Sequence, residues 1–398
     1  MLSVDEALDR LLAGIGSTDV ERVPLADALG RVPVQTPLAS KHDVPPFANS
    51  AMDGYALRAA DGDAERTVIG ESRAGGAAAP DVVAGAAVRI MTGAPVPDGA
   101  DTIVPIEEAE ERDGVLSVAS TPRAGTHVRA AGHDVRRGEA VHLPRSPLTP
   151  SVIGLLAAMG HSELDVHRRP RVAILSTGDE LLPPGASLGH GQIHDANGPA
   201  LAAAVTEAGA EPIVLAPAPD DPGVIEGRIR QGLEEGDMLI ASGGVSVGEH
   251  DHVRGVIERL GTLDFWRIAV QPGKPLAFGR VFERPVIGLP GNPVSALVTF
   301  ELFVRPVLRA MLKLTGDGRL RVRARVDEAI GKDPARRAYL RVRVEHEGTG
   351  YRAISAGGQS SSRLLTLASA NALLVVPEGA AATEPGETYE AILLGAVA

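Results

Sequence analysis

The segment from Asp237 to Asp251 has small residues in a spacing that suits phosphate binding. It begins with the short apolar run 238–241, which is typical of a strand buried on both faces in a parallel sheet. Small residues follow, and their backbone N–H groups can approach an anion closely: Ser242, Gly243, Gly244, Ser246 and Gly248. A helical pattern begins after Asp251, and a strand, glycine-rich loop and helix N-terminus together often hold phosphates. A plain strand-to-helix turn is the alternative for this segment alone.

Three further loops are predicted to meet this segment at one edge of a sheet. Short apolar strands are predicted at 172–176, 212–216, 238–241 and 286–289, with helical patterns between them. This alternation indicates a parallel sheet that binds ligands at the carboxyl ends of its strands. The other three loops at those ends read S-T-G-D-E, P-D-D-P and L-P-G-N-P-V-S. In the last loop, Pro293 would open a helix whose N-terminus is free for an anion.

The same edge collects acidic side chains. They are Glu180, Asp220, Asp221 and Asp251. Carboxylates beside phosphate sites require a bridging cation, and Mg²⁺ is the usual one. Asp221 and Asn292 are also common helix N-cap types, and for either residue alone capping is the favoured interpretation.

Lys274 is a further candidate for anion binding. It is one of only four lysines among 39 cationic residues, and it lies in the turn Q-P-G-K-P. In an arginine-rich chain, a compact ammonium at such a turn favours an oxyanion ligand, with a solvated turn as the alternative. The histidines show no H-E-x-x-H or similar metal-ligand spacing.

Composition excludes several classes of protein. The 398 residues carry a net charge of −12, which offers no basic surface for nucleic acid or an anionic membrane. The absence of cysteine excludes disulfides, thiolate metal sites and thiol catalysis. The N-terminus lacks signal-peptide features, and no apolar run approaches membrane-spanning length. We therefore expect a soluble cytoplasmic protein without membrane insertion.

Outside the α/β region, the patterns predict mainly β structure. A capped helix opens the chain, and a short second helix is predicted at 25–29. Short β-prone runs between Gly, Pro and Asp turns fill 48–136. An antiparallel insertion, 264–270 with 276–282, is predicted before the last α/β strand. From about Gly316 alternation returns, which indicates an independent C-terminal β-barrel or sandwich.

Six motifs, in order, resemble the molybdopterin molybdenumtransferases, a family that includes the bacterial MoeA proteins and the gephyrin E domain. They are S-A-M-D-G-Y-A, I-M-T-G-A-P-V-P, S-T-G-D-E-L, S-G-G-V-S-V-G-E-x-D, P-G-K-P and L-P-G-N-P-V-S. The resemblance covers nearly the whole chain and implies a multidomain α/β fold. The implied domains are an extended linking domain (1–39 and 137–169), a β-rich inserted domain (40–136), an α/β domain that binds molybdopterin and AMP (170–315) and a C-terminal β domain (316–398).

The resemblance implies a transferase of molybdenum cofactor biosynthesis that inserts molybdate into adenylylated molybdopterin, with Mg²⁺ assistance and release of AMP. It also implies a homodimer whose active site is shared between subunits. The implied catalytic residues are Asp53, Glu180 and Asp251, and the implied metal ligands are Glu180, Asp220, Asp221 and Asp251. The implied substrate-binding residues are Thr92, Arg129, Asp134, Gly243, Gly244, Ser246, Lys274, Pro290, Gly291, Asn292, Pro293, Arg341 and Ser361.

Two positions depart from the family's pattern. The family usually has Lys where this chain has Gln271, and often Lys where it has Arg267. Arg267 keeps the positive charge, whereas Gln271 removes a cation from the implied molybdate pocket and is expected to weaken molybdate binding about tenfold. Two alternatives stay open. One is a pterin adenylyltransferase, which the extra domains with Asp53 and Thr92 oppose. The other is a scaffold paralogue that has lost the chemistry and has an unidentified protein partner, which Gln271 favours.

Overall fold

The computed structural model describes residues 1–245 and 252–397, and the chain divides into two compact units. The larger unit contains residues 1–20 and 167–398, and the smaller unit contains residues 21–166. No helix within the described residues is long and apolar enough to cross a membrane. The four domain boundaries given above stay a prediction.

The smaller unit is built on a six-stranded sheet, in agreement with the β-prone runs of the sequence. The strands lie in the order Thr102–Pro105, Gly54–Leu57, Ala86–Ile90, Arg66–Ser72, Val115–Val118 and Ala109–Arg112. The strand Gly54–Leu57 is buried along its whole length. Tyr55 and Leu57 pack into one apolar cluster and Ala56 into another, as the two-residue period of a strand requires. This buried strand anchors the loop before it, which contains Asp53.

Short ribbons and one helix complete the smaller unit. The ribbons pair Val20–Pro24 with Glu163–His167, Leu38–Ala39 with Ala140–Val141, and Asn49–Ser50 with Val128–Arg129. The helix Pro150–Ala158 follows Thr149. The helix predicted at 25–29 is wrong, because Leu25–Asp27 form a single 3₁₀ turn. The segment between Pro24 and Gly30 is too short to establish the hydrogen bonds of an α-helix.

The larger unit contains the predicted parallel sheet. Its strands lie in the order Glu211–Val214, Arg171–Ser176, Met238–Ser242, Arg284–Leu289, Ala277–Val281 and Gly261–Trp266. The first four run parallel, and the last two are antiparallel to their neighbours. Val172 and Ile174 pack into one core, whereas Ala173 and Leu175 pack into another. The sheet is therefore buried on both faces, as its apolar strands predict.

Helices cover both faces of this sheet. Residues of Val4–Leu12, Asn197–Glu207, Pro293–Thr299 and Arg305–Met311 join the first core, and residues of Pro222–Glu235 and His252–Leu260 join the second. The helix that Pro293 was predicted to open is continuous through Met311 and contains a π-helical turn at Phe300–Val304. The backbone N–H of Arg305 closes this turn by donating to the carbonyl of Phe300. The next residue, Pro306, has no N–H to donate.

The C-terminal region closes into a β-barrel with an additional short strand. The barrel strands follow one another around the ring as Arg337–Glu347, Gly350–Ser355, Arg321–Val326, Thr388–Leu393 and Ala372–Val376, and the short helix Leu364–Ala368 precedes the last of these. The first strand pairs with the second and with the last, which closes the ring. Val270–Gln271 pairs in parallel with the start of that first strand. The prediction that Val270 belongs to the antiparallel insertion is therefore wrong, because Val270 pairs with the barrel strand Arg337–Glu347.

Ion pairs join the helices to the segment that enters the barrel, and the two made by Glu301 are largely buried whereas the two made by Glu207 are more exposed. Arg305 donates to Glu301 at 2.8 Å and to Glu207 at 2.6 Å, and Arg319 pairs with the same two glutamates at 2.9 Å. The side chains of Arg305, Glu301 and Arg319 are only 7%, 12% and 14% exposed. Burial alone would lower the pKa of Arg319, but its hydrogen bonds to the two glutamates outweigh burial and raise it.

Glu301→Gln is expected to lower the free energy of unfolding by about 3 kcal/mol, because it leaves two buried guanidinium groups short of negative charge. Urea unfolding monitored by circular dichroism would measure the loss. Glu390→Gln is the matched control, since it breaks an exposed pair with Arg321 and should cost less than about 1 kcal/mol. Equal losses in the two variants would contradict a structural role for the buried pairs.

Candidate functional site

A cavity of about 640 Å³ lies at the carboxyl ends of the four parallel strands. Eight predicted site residues line it: Glu180, Asp220, Gly243, Gly244, Pro290, Gly291, Asn292 and Pro293. They come from all four loops that follow the strands. The loops therefore converge at one edge, as a parallel sheet requires.

Two glycines allow the central loop to pass close to its neighbours. Gly243 and Gly244 have φ angles of +96° and +65°. A Cβ atom at Gly243 would lie 2.6 Å from the carbonyl oxygen of Thr177, and one at Gly244 would lie 2.7 Å from the side chain of Val253. The Gly243 N–H donates to the carbonyl of Leu289 at 3.2 Å. The expectation that this particular N–H is open to an anion is therefore wrong, because the N–H is used in a hydrogen bond between the ends of two neighbouring strands.

Three acidic side chains interact at the cavity. Asp220 is half-buried, and burial, followed by the negative charges of Asp179 and Glu180, raises its pKa. Asp179 accepts a hydrogen bond from the Asp220 N–H at 3.0 Å. Asp221 instead caps the helix Pro222–Glu235, since its Oδ1 accepts from the Val224 N–H at 2.9 Å. The capping alternative is thus observed for Asp221.

Some predicted residues fall outside the described chain. Ser246 and Asp251 lie in 246–251, and the structure describes neither of them. Within residues 1–245 and 252–397, no group of three or more acidic or histidine side chains is placed to hold a metal ion. The predicted metal site therefore remains a prediction that involves Asp251.

Asp195 and Asn197 line the cavity and were missed by sequence reasoning. Thr177 and Ser242 also line it, and the sequence analysis placed them in the converging loops without assigning them a role of their own. The hydroxyl of Thr177 is buried and has no hydrogen-bond partner among the described residues. Asp195 and Asn197 lie in the sequence D-A-N-G-P, directly before a helix, and this cluster of turn-forming residues was the available signal.

A buried arginine lies beside the loop that joins the barrel to the cavity. Arg341 is 1% exposed and donates to the carbonyls of Gly358 and Ser360 at 3.3 and 3.0 Å. Its Nε has no partner, and no carboxylate pairs with it within the described chain. Burial lowers the pKa of Arg341 to about 10. The next residue in the loop, Ser361, accepts from the side chain of Asn292, so this loop reaches the cavity.

The turn that contains Gln271 and Lys274 is also defined. The Gln271 Oε1 accepts from the Asp333 N–H at 2.8 Å, so the side chain that departs from the family's pattern has a local structural partner. Lys274 is exposed, and its carbonyl accepts from the Ile268 N–H at 3.0 Å. Pro275, one residue further, lines the cavity.

The smaller unit brings two predicted residues into direct contact. Asp53 accepts from the N–H and hydroxyl of Thr92 at 2.6 and 2.8 Å, and the backbone N–H contributes most to lowering the pKa of Asp53. Arg129 pairs in register with Asn49, at the start of the loop that contains Asp53. The Asp134 N–H donates to the carbonyl of Val44 at 2.9 Å, and its side chain is exposed.

Fold and site together define a multidomain α/β protein with an acidic, glycine-lined cleft at the ends of parallel strands. Three family models match the chain: the MoeA N-terminal region (domains I and II) at residues 2–160, a probable molybdopterin-binding domain at 173–310, and the MoeA C-terminal region (domain IV) at 323–394.

Relatives of this chain agree with these matches. Molybdopterin molybdenumtransferase 2 from Mycobacterium tuberculosis is 41% identical, over 89% of this chain and 90% of its own. Molybdopterin molybdenumtransferase from Haemophilus influenzae is 39% identical over 77% of each chain. The crystal structure of a molybdopterin biosynthesis MoeA protein from Pyrococcus horikoshii OT3 superposes with a TM-score of 0.81, at 29% identity, over 99% of this chain and 100% of that one. The chain belongs to the molybdopterin molybdenumtransferase (MoeA) family, whose members are enzymes of molybdenum cofactor biosynthesis.

Asp220→Asn is expected to stabilise the protein at pH 7. A carboxyl whose folded pKa is raised binds its proton more tightly in the folded state, so its ionisation costs stability as the pH rises above the unfolded value of 3.8. The variant should therefore melt at a higher temperature than the parent at pH 7, and the difference should shrink as the pH is lowered towards 4. Scanning calorimetry over this range would measure it.

Asp9→Asn, on the exposed side of the first helix, is the control and should not change the melting temperature. A lower melting temperature for Asp220→Asn at pH 7 would show that this carboxylate stabilises the fold rather than straining it.

Proposed function

We propose that this protein inserts molybdate into adenylylated molybdopterin in the cytoplasm and releases AMP. The observation that carries the proposal is the cavity in which an acidic cluster lies beside two glycine-rich loops. A site for a phosphoanhydride needs backbone groups that approach it closely and a cation that neutralises its charge. The glycine-rich loops of the cavity allow the close approach, and its carboxylates are suitable ligands for the cation. The names of the relatives support the same activity.

We propose that the acidic side chains of the cavity bind a divalent cation together with Asp251. Burial, followed by the negative charges of Asp179 and Glu180, raises the pKa of Asp220, and a bound Mg²⁺ would relieve the repulsion between these charges. Glu180, Asp220 and Asp251 are the proposed ligands, and Asp221 has only its Oδ2 left for this role because Oδ1 caps a helix. When bound, Mg²⁺ would neutralise charge at the phosphoanhydride. Glu180 and Asp251 are also proposed to orient the reacting groups.

Arg341 is the proposed centre of the molybdate subsite. A buried guanidinium with no carboxylate partner is unfavourable, and an oxyanion would supply the missing charge. Ser361 and Lys274 are proposed to complete this subsite with a hydroxyl and an ammonium group. The protein carries a net charge of −12, so a dianion needs such local cations to bind at all.

Arg341→Met is expected to raise the molybdate concentration for half-maximal AMP release by at least about tenfold, because it removes a charged partner worth 1.5–3 kcal/mol. The assay would combine purified protein, adenylylated molybdopterin, Mg²⁺ and a molybdate titration. Folding should persist, since methionine fills a buried site without leaving an unpaired charge.

Arg66→Met is the matched control. Arg66 is also 1% exposed, donates to two carbonyls and has an unpaired Nε, but it belongs to the smaller unit, which contains none of the predicted molybdate residues. It should leave the half-saturating molybdate concentration unchanged. No AMP release from the parent protein would refute the proposed reaction, and an unchanged titration for Arg341→Met would refute only the subsite.

We also propose a homodimer in which Asp53, Thr92, Arg129 and Asp134 of one subunit act at the cavity of the other. Asp53→Asn and Asp220→Asn should each abolish AMP release, because each variant lacks one half of every site. Co-expression of the two variants should restore about a quarter of the parent activity. Half of the dimers then contain one subunit of each variant, and each such dimer has one intact site. Light scattering should give twice the mass of 41.2 kDa. A fully active monomer, or no complementation, would contradict a shared site.

A further inference from the structure

Asn197 connects two loops of the cavity through a single side chain. Its Nδ2 donates to the hydroxyl of Ser242 at 2.7 Å and to the carbonyl of Gly291 at 2.7 Å. Ser242 ends the strand before the Gly243-Gly244 loop, and Gly291 lies in the loop that follows the neighbouring strand. Besides contacting one another, Asn197, Ser242 and Gly291 all line the cavity. Asn197 therefore links the two glycine-rich loops from a third element, the helix Asn197–Glu207.

The orientation of this amide follows from the chemistry of its partners. A carbonyl oxygen can only accept, so the atom that contacts Gly291 must be the NH₂ group. The Ser242 hydroxyl has one proton, which it donates to the carbonyl of Pro290 at 3.4 Å, and it must then accept from Asn197. Both amide hydrogens are thus used, and Oδ1 has no partner among the described residues.

The main chain at Asn197 is held in place as well. Asp195 is 7% exposed, and its Oδ1 accepts from the N–H groups of Asn197 and Gly198, each at 3.0 Å. A buried carboxylate with two backbone donors fixes the start of the helix. The Asn197 side chain consequently projects from a rigid base, which is what a residue needs in order to set a distance between two loops.

We propose that Asn197 is a positioning residue that holds the Gly243-Gly244 and Gly291-Asn292 loops at the spacing required by a phosphate-bearing nucleotide. The inference rests on the proposed function, because it assumes that the cavity accepts the AMP moiety of the substrate. A loop pair that is already correctly spaced binds its ligand without an ordering cost. Loss of the two hydrogen bonds should therefore weaken the nucleotide rather than unfold the protein.

Calorimetric titration with AMP, with Mg²⁺ present, would test this proposal on the full-length protein. Asn197→Ala should weaken AMP binding by roughly tenfold, since it removes both hydrogen bonds that link the two loops. Amide hydrogen exchange is a second measurement on the same variant, and it requires no ligand. The Gly243 N–H, which donates to Leu289 beside the Asn197 contacts, should exchange faster in the variant. Asn197→Ser offers a smaller change if the alanine variant is poorly folded.

Asn371→Ala is the matched control. Asn371 also makes two hydrogen bonds through its Nδ2, in this case to the backbone carbonyls of Val344 and Ala396, each at 2.9 Å, but it lies in the barrel region. It should reduce the melting temperature without changing AMP affinity or exchange at Gly243. Equal weakening of AMP by both variants would overturn the proposal, because the effect would then reflect general stability.

Two further results separate the inference from the function on which it rests. Unchanged AMP affinity in Asn197→Ala, with a parent protein that binds AMP, would overturn the positioning role and leave the proposed function intact. If the parent protein does not bind AMP, the assignment of the cavity fails, and exchange at Gly243 decides alone whether Asn197 fixes the loops. Unchanged exchange would overturn that role, and faster exchange would support it.

Discussion

The parallel alignment of four strands is the constraint on which the rest of this structure depends. The carboxyl ends of parallel strands must meet at one edge, so the loops after residues 176, 214, 242 and 289 are brought together although they are far apart in sequence. Apolar residues on both faces of the strands make this arrangement stable, because each face is covered by helices. The cavity is thus a consequence of the sheet and not of any single loop.

Charge is the second constraint. The proposed binding of an anion by this acidic protein requires positive charge where solvent cannot screen it, and the buried guanidinium of Arg341 is the proposed source of that charge. The contrast with Arg319 is informative, since that buried arginine has two glutamate partners and a raised pKa. Arg341 has none within the described residues, and its pKa is lowered. The charge of Arg319 is therefore balanced by carboxylates of the protein itself. The charge of Arg341 is not, and this is why we propose that an anionic ligand balances it.

The sequence predicted the fold where its patterns are local. The apolar run 238–241 and the alternation of strands and helices identified the parallel sheet, because burial on both faces leaves a clear composition. Alternation after Gly316 could not distinguish a barrel from a sandwich, since closure depends on the pairing of Arg337–Glu347 with Ala372–Val376. Val270 was placed in the wrong sheet for the same reason. Strand partners are chosen by tertiary packing, and a single strand's sequence does not specify them.

The same distinction applies to the site. Glycine and acidic residues at strand ends were predicted from type and position, and Glu180, Asp220 and Gly244 do line the cavity. Asn197 was missed because its role arises only from two contacts across the fold, with Ser242 and Gly291. The use of Asp221 as a helix cap was one of two open interpretations, and only the geometry shows that its Oδ1 makes this cap. The resemblance to a family supplied Arg341, whose missing counter-charge no sequence pattern reveals.

The most direct test of this account is a crystal structure of the protein with AMP and Mg²⁺. The account predicts that the AMP phosphate lies in the cavity at the carboxyl ends of the parallel strands, between Gly244 and Asn292, with the metal ion in contact with Asp220. AMP bound elsewhere on the protein, with the cavity filled only by water, would contradict the central claim that this sheet edge is the nucleotide site.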